Sequence, residues 1–144
     1  AGTVTKVSEV NNLSGLGCQM IVSPNTDKDV IKATKDKGML SFPGVLTPSE
    51  CFSAINSGAD ALKIFPAFKL GIDGFKAMKA VLPSDVKTYG VGGINENHFH
   101  EWLLAGLTGF GIGSNLFHPS MNDDDIKTKA KKIVIEYDSW FAQR

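Results

Sequence analysis

Two kinds of segment repeat along the chain. Short runs of mostly apolar residues are typical of buried strands, and each is followed by a segment whose apolar residues recur at helical spacing. The pattern predicts a strand ending at Val4 and further strands over residues 19–23, 39–44, 61–65, 87–91 and 109–113. It predicts helices over residues 6–14, 26–36, 47–56, 73–81 and 95–105, and from 123 nearly to the C-terminus.

Strands that alternate with helices indicate a parallel sheet. Strands this short favour a barrel, so we predict an α/β fold of the (β/α)8 TIM-barrel type, as one domain over residues 1–144. The pattern supplies six βα units, whereas eight close such a barrel. We therefore expect the first two units to precede Ala1. The alternative is a complete six-unit domain, which would leave two strand edges exposed.

Composition narrows the class of protein. The 15 basic and 15 acidic residues give a formal charge of zero, so nothing indicates nucleic acid or a membrane surface as a partner. No apolar run approaches the length of a membrane span. Cys18 and Cys51 are expected to be reduced thiols, and we predict a cytoplasmic location.

Lys63 is the one charged residue in the apolar strand over residues 61–65. Burying an ammonium group is costly unless the group is paired or neutralised. Two roles fit such a lysine: a buried ion pair, or a Schiff base with a carbonyl substrate, which requires a neutral amine. Sequence pattern alone leaves both roles open.

Small residues follow the last two predicted strands. Gly92 and Gly93 come after Val91, and Gly113 and Ser114 come after the final strand. Glycines let the backbone approach a ligand closely, and paired exits from the last strands of a barrel form its usual phosphate site. Ordinary glycine turns are the alternative interpretation, and the pairing of two such exits favours phosphate binding.

Several motifs together resemble one enzyme family. The chain is similar over its whole length to the class I 2-keto-3-deoxy-6-phospho-sugar-acid aldolases, the KDPG and KDPGal aldolase family of 2-dehydro-3-deoxy-6-phosphogluconate and -galactonate lyases. The similarity is specific because the motifs occur in the family's order. They are Ala1-Gly2-Thr3-Val4, Ile21-Val22-Ser23-Pro24-Asn25, Pro43-Gly44, Ala61-Leu62-Lys63-Ile64-Phe65-Pro66, Val91-Gly92-Gly93-Ile94 and Gly111-Ile112-Gly113-Ser114.

The resemblance implies a function in carbohydrate metabolism: reversible cleavage to pyruvate and D-glyceraldehyde 3-phosphate, without a metal or other cofactor, in a homotrimer. It implies that Lys63 forms the Schiff base and that Val91 favours the galactonate over the gluconate substrate. The other implied site residues bind the substrate (Thr3, Pro24 and Phe65) or its phosphate (Gly92, Gly93, Gly113 and Ser114).

The sequence also departs from the family pattern. The resemblance implies a general-base glutamate and a carboxylate-binding arginine before Ala1, and neither is among these residues. General-base catalysis is typically worth about 10²–10⁴-fold, so we expect the 144 residues alone to be nearly inactive.

Other interpretations compete with this one. In one, Lys63 acts only through its charge in a phosphosugar isomerase, epimerase or decarboxylase. In the other, the chain is a non-catalytic phosphate-binding domain. His98 and His100 are two apart on a predicted helix and point to different faces, which disfavours a metal site. The acidic run Asp123-Asp124-Asp125 lacks the calcium-loop pattern and suits a helix N-terminus.

Overall fold

In a computed structural model that describes residues 1–142, a two-stranded and a four-stranded parallel sheet adjoin to form a curved wall with helices packed on one face. The strands are β1 Met20–Val22, β2 Leu40–Phe42, β3 Gly44–Val45, β4 Leu62–Ile64, β5 Thr88–Val91 and β6 Gly109–Gly111. The helices are α1 Val7–Gly15, α2 Lys28–Asp36, α3 Pro48–Asn56, α4 Ala67–Lys79, α5 Phe99–Leu104 and α6 Asp123–Ala142. A 3-10 turn, Glu96–His98, precedes α5.

Neighbouring strands in sequence are neighbours in the wall. Gly2 forms a parallel bridge to Val22, β1 pairs with β2, and β3, β4, β5 and β6 follow in order. The predicted strand over residues 39–44 is divided into β2 and β3 by Pro43, which has no N–H to donate. The Pro43 carbonyl still accepts a 2.9 Å hydrogen bond from Lys63 N–H, so the wall is continuous there. The predicted parallel strand order is therefore confirmed.

Side chains alternate between the two faces of the wall. Ile21, Leu62, Ile64 and Thr88 are buried beneath the helices. Two clusters form this helix-side core, one around Phe75 and one made of Val4, Val10, Ile21, Val30 and Met39. The residues between them in sequence face the concave side, where the Phe42 and Tyr89 rings lie 5.3 Å apart. Lys63 is in this concave row, paired in register with Tyr89.

Local signals explain most helix ends. Thr47 and Glu50 form a capping box at the start of α3, with Pro48 in its first turn. Gly17, Gly38, Gly58 and Gly106 all have positive φ after their helices, as expected of C-terminal glycines.

One predicted helix start was wrong, and a second helix has an additional turn before its predicted start. The N-cap of α2 is Asp27, whose carboxylate accepts from two backbone N–H groups, whereas the Thr26 hydroxyl donates to the Gly44 carbonyl. Helix α4 has a first helical turn from Ala67 that was not predicted; after a non-helical break at Gly71, where φ is 68°, it continues as the helix predicted from about residue 73. Phe68 and Leu70 therefore lie on a helix and not on a loop. No helix within residues 1–142 has the length and apolarity needed to cross a membrane.

Candidate active site

Lys63 lies at the carboxyl end of the wall with only 9% of its surface exposed. Its Nζ is 4.3 Å from the centroid of the Phe65 ring. Within residues 1–142, no carboxylate lies within ion-pair distance of this ammonium group. The structure therefore does not contain the buried ion pair that was one of the two predicted roles.

Burial lowers the pKa of the Lys63 ammonium group, because removal from water disfavours its charged form. A lower pKa increases the fraction of neutral amine at working pH. The neutral amine is the form that can attack a carbonyl carbon. The surroundings of Lys63 are thus suited to nucleophilic chemistry.

An open cavity of about 520 Å³ lies at the exits of β5 and β6; Lys63 does not line it, but Phe65, whose ring Lys63 contacts, does. Its wall is made largely of backbone and small side chains. Six of the predicted site residues line it, namely Phe65, Val91, Gly92, Gly93, Gly113 and Ser114. Further lining residues are Ile94, Asn95, Gly111 and Asn115.

Two consecutive glycines allow the first side of this cavity to form. Gly92 and Gly93 have φ values of 88° and 73°, a region that side-chain-bearing residues rarely adopt. A Cβ atom on Gly93 would lie 2.6 Å from the Cβ of Phe68. The first turn of α4 is held against this segment by a 3.2 Å hydrogen bond from Phe68 N–H to the Gly92 carbonyl. Glycine is therefore required at position 93 by both conformation and space.

A turn after β6 forms the opposite side. The Gly113 carbonyl accepts hydrogen bonds from the N–H groups of Leu116 and Phe117, at 2.9 and 3.1 Å. Gly111, the last residue of β6, is paired with Val91 in the sheet. A Cβ atom on Gly111 would lie 2.7 Å from Val91 Cγ2. Val91 thus fills the space between the two strands at the floor of the cavity.

Phe65 connects the lysine to the cavity. Its ring contacts Lys63 on one side, and two of its atoms lie 3.4 Å from where a Cβ of Gly92 would be. The amine and the glycine backbone are therefore separated by about one aromatic ring. A ligand spanning the two would carry its carbonyl group and its anionic group at opposite ends of a short chain.

Thr3 and Pro24 lie on neighbouring strand exits but do not line this cavity. Thr3 is exposed and has a φ of 58°, an outlier for a β-branched residue. Pro24 follows β1, and its carbonyl lies where a Cβ of Gly44 would collide with it. Their predicted substrate contacts stay predictions.

The sequence analysis did not predict a site role for Asn95 and Asn115, which line the cavity, or for Glu96, which contacts Asn115 from outside the lining. Asn95 was assigned only as a helix cap, a role the structure confirms through its bond to Asn97 N–H. Glu96 was assigned only to a helix start, and its carboxylate accepts a 2.9 Å hydrogen bond from Asn115 Nδ2. Glu96 and Asn115 are 19 residues apart, so their contact could not be read from the sequence. Their closeness in sequence to the two glycine pairs was the signal that could have indicated a site role.

The other glutamates lie away from Lys63, as predicted. Glu9 and Glu50 cap α1 and α3, and Glu101 and Glu136 lie on α5 and α6. Within residues 1–142, no group of three or more His, Cys, Asp or Glu side chains is arranged to hold a metal ion.

Sequence comparison identifies similar proteins over almost the whole chain. Residues 1–132 match the sequence profile described as KDPG and KHG aldolase. The chain is 40% identical over 139 residues to a probable 2-dehydro-3-deoxy-6-phosphogalactonate aldolase of Rhizobium meliloti, covering 96% of this chain and 66% of the relative. It is 41% identical over 137 residues to the Escherichia coli aldolase of that name, covering 95% of this chain and 67% of the relative. The chain thus spans about two thirds of the length of these relatives.

Solved structures give the same grouping. A native KDPGal structure superposes with a TM-score of 0.96 at 39% identity, over 99% of this chain and 69% of that one. A designed cage built by fusing symmetric oligomeric domains superposes with a TM-score of 0.96 at 40% identity, over 99% of this chain and 53% of the cage chain. A KDPG aldolase from Legionella pneumophila, captured with pyruvate as a covalent carbinolamine, has a TM-score of 0.74 at 28% identity, over 95% and 65% of the two chains.

The predicted fold and the predicted resemblance are both confirmed. The wall of parallel strands is part of a TIM-barrel-like fold shared with these aldolases. The profile match and two relatives at 40% identity or more cover nearly the whole chain. This chain therefore belongs to the KDPG and KHG aldolase family.

Proposed function

We propose that the full-length protein is a class I aldolase whose Lys63 forms a Schiff base with a 2-keto acid. The observation that carries the proposal is the buried, unpaired Lys63 amine one aromatic ring away from a glycine-lined cavity. The covalent pyruvate adduct of the Legionella relative supports it, because that protein shares this fold and family.

The proposed reaction begins when neutral Nζ attacks the C2 carbonyl, and loss of water leaves an iminium ion. A base then takes the proton of the C4 hydroxyl, the C3–C4 bond breaks, and the aldehyde leaves. The electrons of the broken C3–C4 bond move into the iminium ion, which becomes an enamine. Protonation of the enamine at C3 and hydrolysis of the resulting iminium release pyruvate and regenerate the amine. Lys63 thus acts as an electron sink, and the route uses no metal or cofactor.

The cavity at the β5 and β6 exits is proposed to bind the substrate's phosphate through the backbone N–H groups of Gly92, Gly93, Gly113 and Ser114. Backbone donors in glycine turns provide a concave site for anions. The substrate is then a phosphorylated 2-keto-3-deoxy sugar acid, and the aldehyde product is D-glyceraldehyde 3-phosphate. Thr3, Pro24 and Phe65 are proposed to contact the rest of the substrate.

Among such acids we propose 2-dehydro-3-deoxy-6-phosphogalactonate. The names of the Rhizobium meliloti and Escherichia coli relatives, at 40% and 41% identity, support this choice. Val91 also supports it, because this cavity-lining side chain has no hydroxyl to bond a substrate hydroxyl. The gluconate epimer and 4-hydroxy-2-oxoglutarate are the alternatives. Val91→Thr is expected to shift the ratio of kcat/KM towards the gluconate epimer, and an unchanged ratio would remove Val91 from the argument.

The assembly is proposed to be a homotrimer in the cytoplasm. The symmetric oligomeric domains of the similar designed cage support an oligomer. Light scattering of the full-length protein would give the mass of the assembly, and a monomer would contradict this part of the proposal.

Replacing Lys63 by arginine separates covalent from purely electrostatic catalysis. Arginine keeps the positive charge but cannot form an imine, so we expect Lys63→Arg to abolish cleavage in the full-length protein. Lys69→Arg is the matched control, because Lys69 is an exposed lysine on the adjoining helix. Substantial activity in Lys63→Arg would favour the charge-only role, and phosphate-ligand binding without any turnover in the wild type would favour a non-catalytic domain.

A further inference from the structure

The cavity is formed by two segments that belong to different strands. The first arm, residues 92–95, follows β5, and the second arm, residues 112–115, follows β6. The ladder between the strands ends at the pair Val91 and Gly111. Beyond that pair, the relative position of the arms depends on side-chain contacts.

Glu96 makes the contact between them. It directly follows the first arm, and its Oε2 accepts a 2.9 Å hydrogen bond from Nδ2 of Asn115 on the second arm. Its other oxygen, Oε1, lies 2.8 Å from Lys132 Nζ on α6. The Glu96 side chain is 15% exposed and that of Lys132 is 55% exposed, so the contacts form at the edge of the surface with Glu96 partly shielded.

Helix α6 holds the second arm at a further point. Lys129 Nζ donates a 3.0 Å hydrogen bond to the Asn115 carbonyl. Lys129 and Lys132 are three residues apart and lie on one side of the helix. Asn115 is therefore fixed through its side chain by Glu96 and through its backbone by Lys129.

The charge arrangement suits an anion site. An unpaired carboxylate this close would repel a phosphate group. The ammonium group of Lys132, with the Asn115 amide, lowers the pKa of Glu96 to about 2, so Glu96 stays ionised at any working pH. Lys132 at the same time balances its charge.

We propose that Glu96 is a positioning residue that fixes the spacing of the two arms and so sets the affinity of the cavity for phosphate. This inference rests on the proposed function, because it assigns the cavity to the phosphate end of the substrate. Lys63 lies on β4 and is not part of the Glu96 contacts, so its reaction with pyruvate is independent of them.

The test measures the two ends of the site separately in the full-length protein. Inorganic phosphate is the probe for the cavity, measured by calorimetry, and borohydride trapping of pyruvate reports on Lys63. Because Glu96→Ala removes a hydrogen bond to a charged group, we expect it to weaken phosphate binding about tenfold. We expect borohydride trapping of pyruvate to stay within about twofold of wild type, because Lys63 makes none of the hydrogen bonds that the substitution removes.

Glu96→Gln is the conservative variant. Its amide oxygen can still accept from Asn115, so we expect phosphate binding to recover to within about threefold of wild type. Lys132→Met should weaken phosphate binding most at low salt, because it leaves the carboxylate unpaired. Lys35→Met is its matched control, since it breaks a 2.7 Å ion pair to Asp60 that lies away from the cavity.

The outcomes distinguish the claims. Wild-type phosphate affinity in Glu96→Ala overturns the proposal. Equal losses of phosphate binding and pyruvate trapping in Glu96→Ala and Glu96→Gln also overturn it, because they indicate a general structural role. If the wild type binds phosphate but traps no pyruvate, the proposed aldolase reaction fails, while calorimetry on the same variants still decides the role of Glu96.

Discussion

Gly93→Ala tests whether the cavity geometry depends on glycine. Gly93 has a φ of 73°, and an added Cβ would lie 2.6 Å from Phe68 Cβ. Left-handed backbone costs a residue with a side chain about 1–2 kcal/mol, and overpacking costs about 1–3 kcal/mol. We therefore expect Gly93→Ala to reduce the free energy of unfolding by about 2–5 kcal/mol.

Gly38→Ala is the matched control. Gly38 has nearly the same φ, 70°, but no heavy atom lies within 4 Å of its Cβ position. Only the backbone cost of about 1–2 kcal/mol applies there. The difference between the two variants therefore measures the collision with Phe68.

Urea denaturation of both variants gives the comparison, with slopes of about 1–3 kcal/mol per molar urea for a small protein. Gly93→Ala should have the lower midpoint and should also lose phosphate affinity. Gly38→Ala should keep wild-type phosphate affinity, because it lies between α2 and β2 at the opposite end of the strands. Equal stability losses in the two variants would refute the close contact between Gly93 and Phe68.

Three further predictions concern stability and reactivity. The folded pKa of Glu96 is about 2, against an ordinary 4.5, so its contribution to stability is complete above about pH 4.5 and is lost as the pH falls towards 2. Glu96→Gln should therefore make the free energy of unfolding less dependent on pH over that range. An unchanged pH profile would contradict the ion pair with Lys132. Burial raises the pKa of the Cys51 thiol to about 11, so iodoacetamide at pH 8 should label Cys18 but reach Cys51 only after unfolding, as peptide mass spectrometry would show. Phe75 is fully buried in the larger core cluster, and Phe75→Ala should cost about 3–5 kcal/mol by urea denaturation, where a loss below about 1 kcal/mol would contradict its place in the core.

The repeating pattern predicted the strand order because it depends on local burial. The predicted segments after residue 19 became strands, whereas the one ending at Val4 forms only a single parallel bridge from Gly2 to Val22. The glycines after α1, α2, α3 and α5 adopt positive φ, as is usual after helices. The capping box at Thr47 and Glu50 was readable because both partners lie within one turn.

Errors occurred where distant contacts decide the structure. The turn of α4 before the break at Gly71 was not predicted, because a hydrogen bond from Phe68 N–H to the distant Gly92 carbonyl holds it in place. Similarly, Asp27 rather than Thr26 caps α2, because the Thr26 hydroxyl donates to the Gly44 carbonyl 18 residues away.

The candidate site shows the same division. Lys63 was recognisable because a lone charge in an apolar strand is unusual, and the glycine exits were recognisable because two of them follow the last two strands. Glu96 gave no such signal, since its partners Asn115 and Lys132 reach it only after β6 and α6 have folded against the 3-10 turn. Residues that act through one local property can be identified from the sequence, and residues that act through a tertiary network cannot.

Trapping of the imine is the most direct test of the central claim. The full-length protein is incubated with pyruvate and sodium borohydride, digested, and mapped by mass spectrometry over its lysine peptides. The account predicts a reduced pyruvyl group on the peptide that contains Lys63, because its amine is buried, unpaired and lowered in pKa. No adduct, or an adduct confined to another of the lysines, would contradict it.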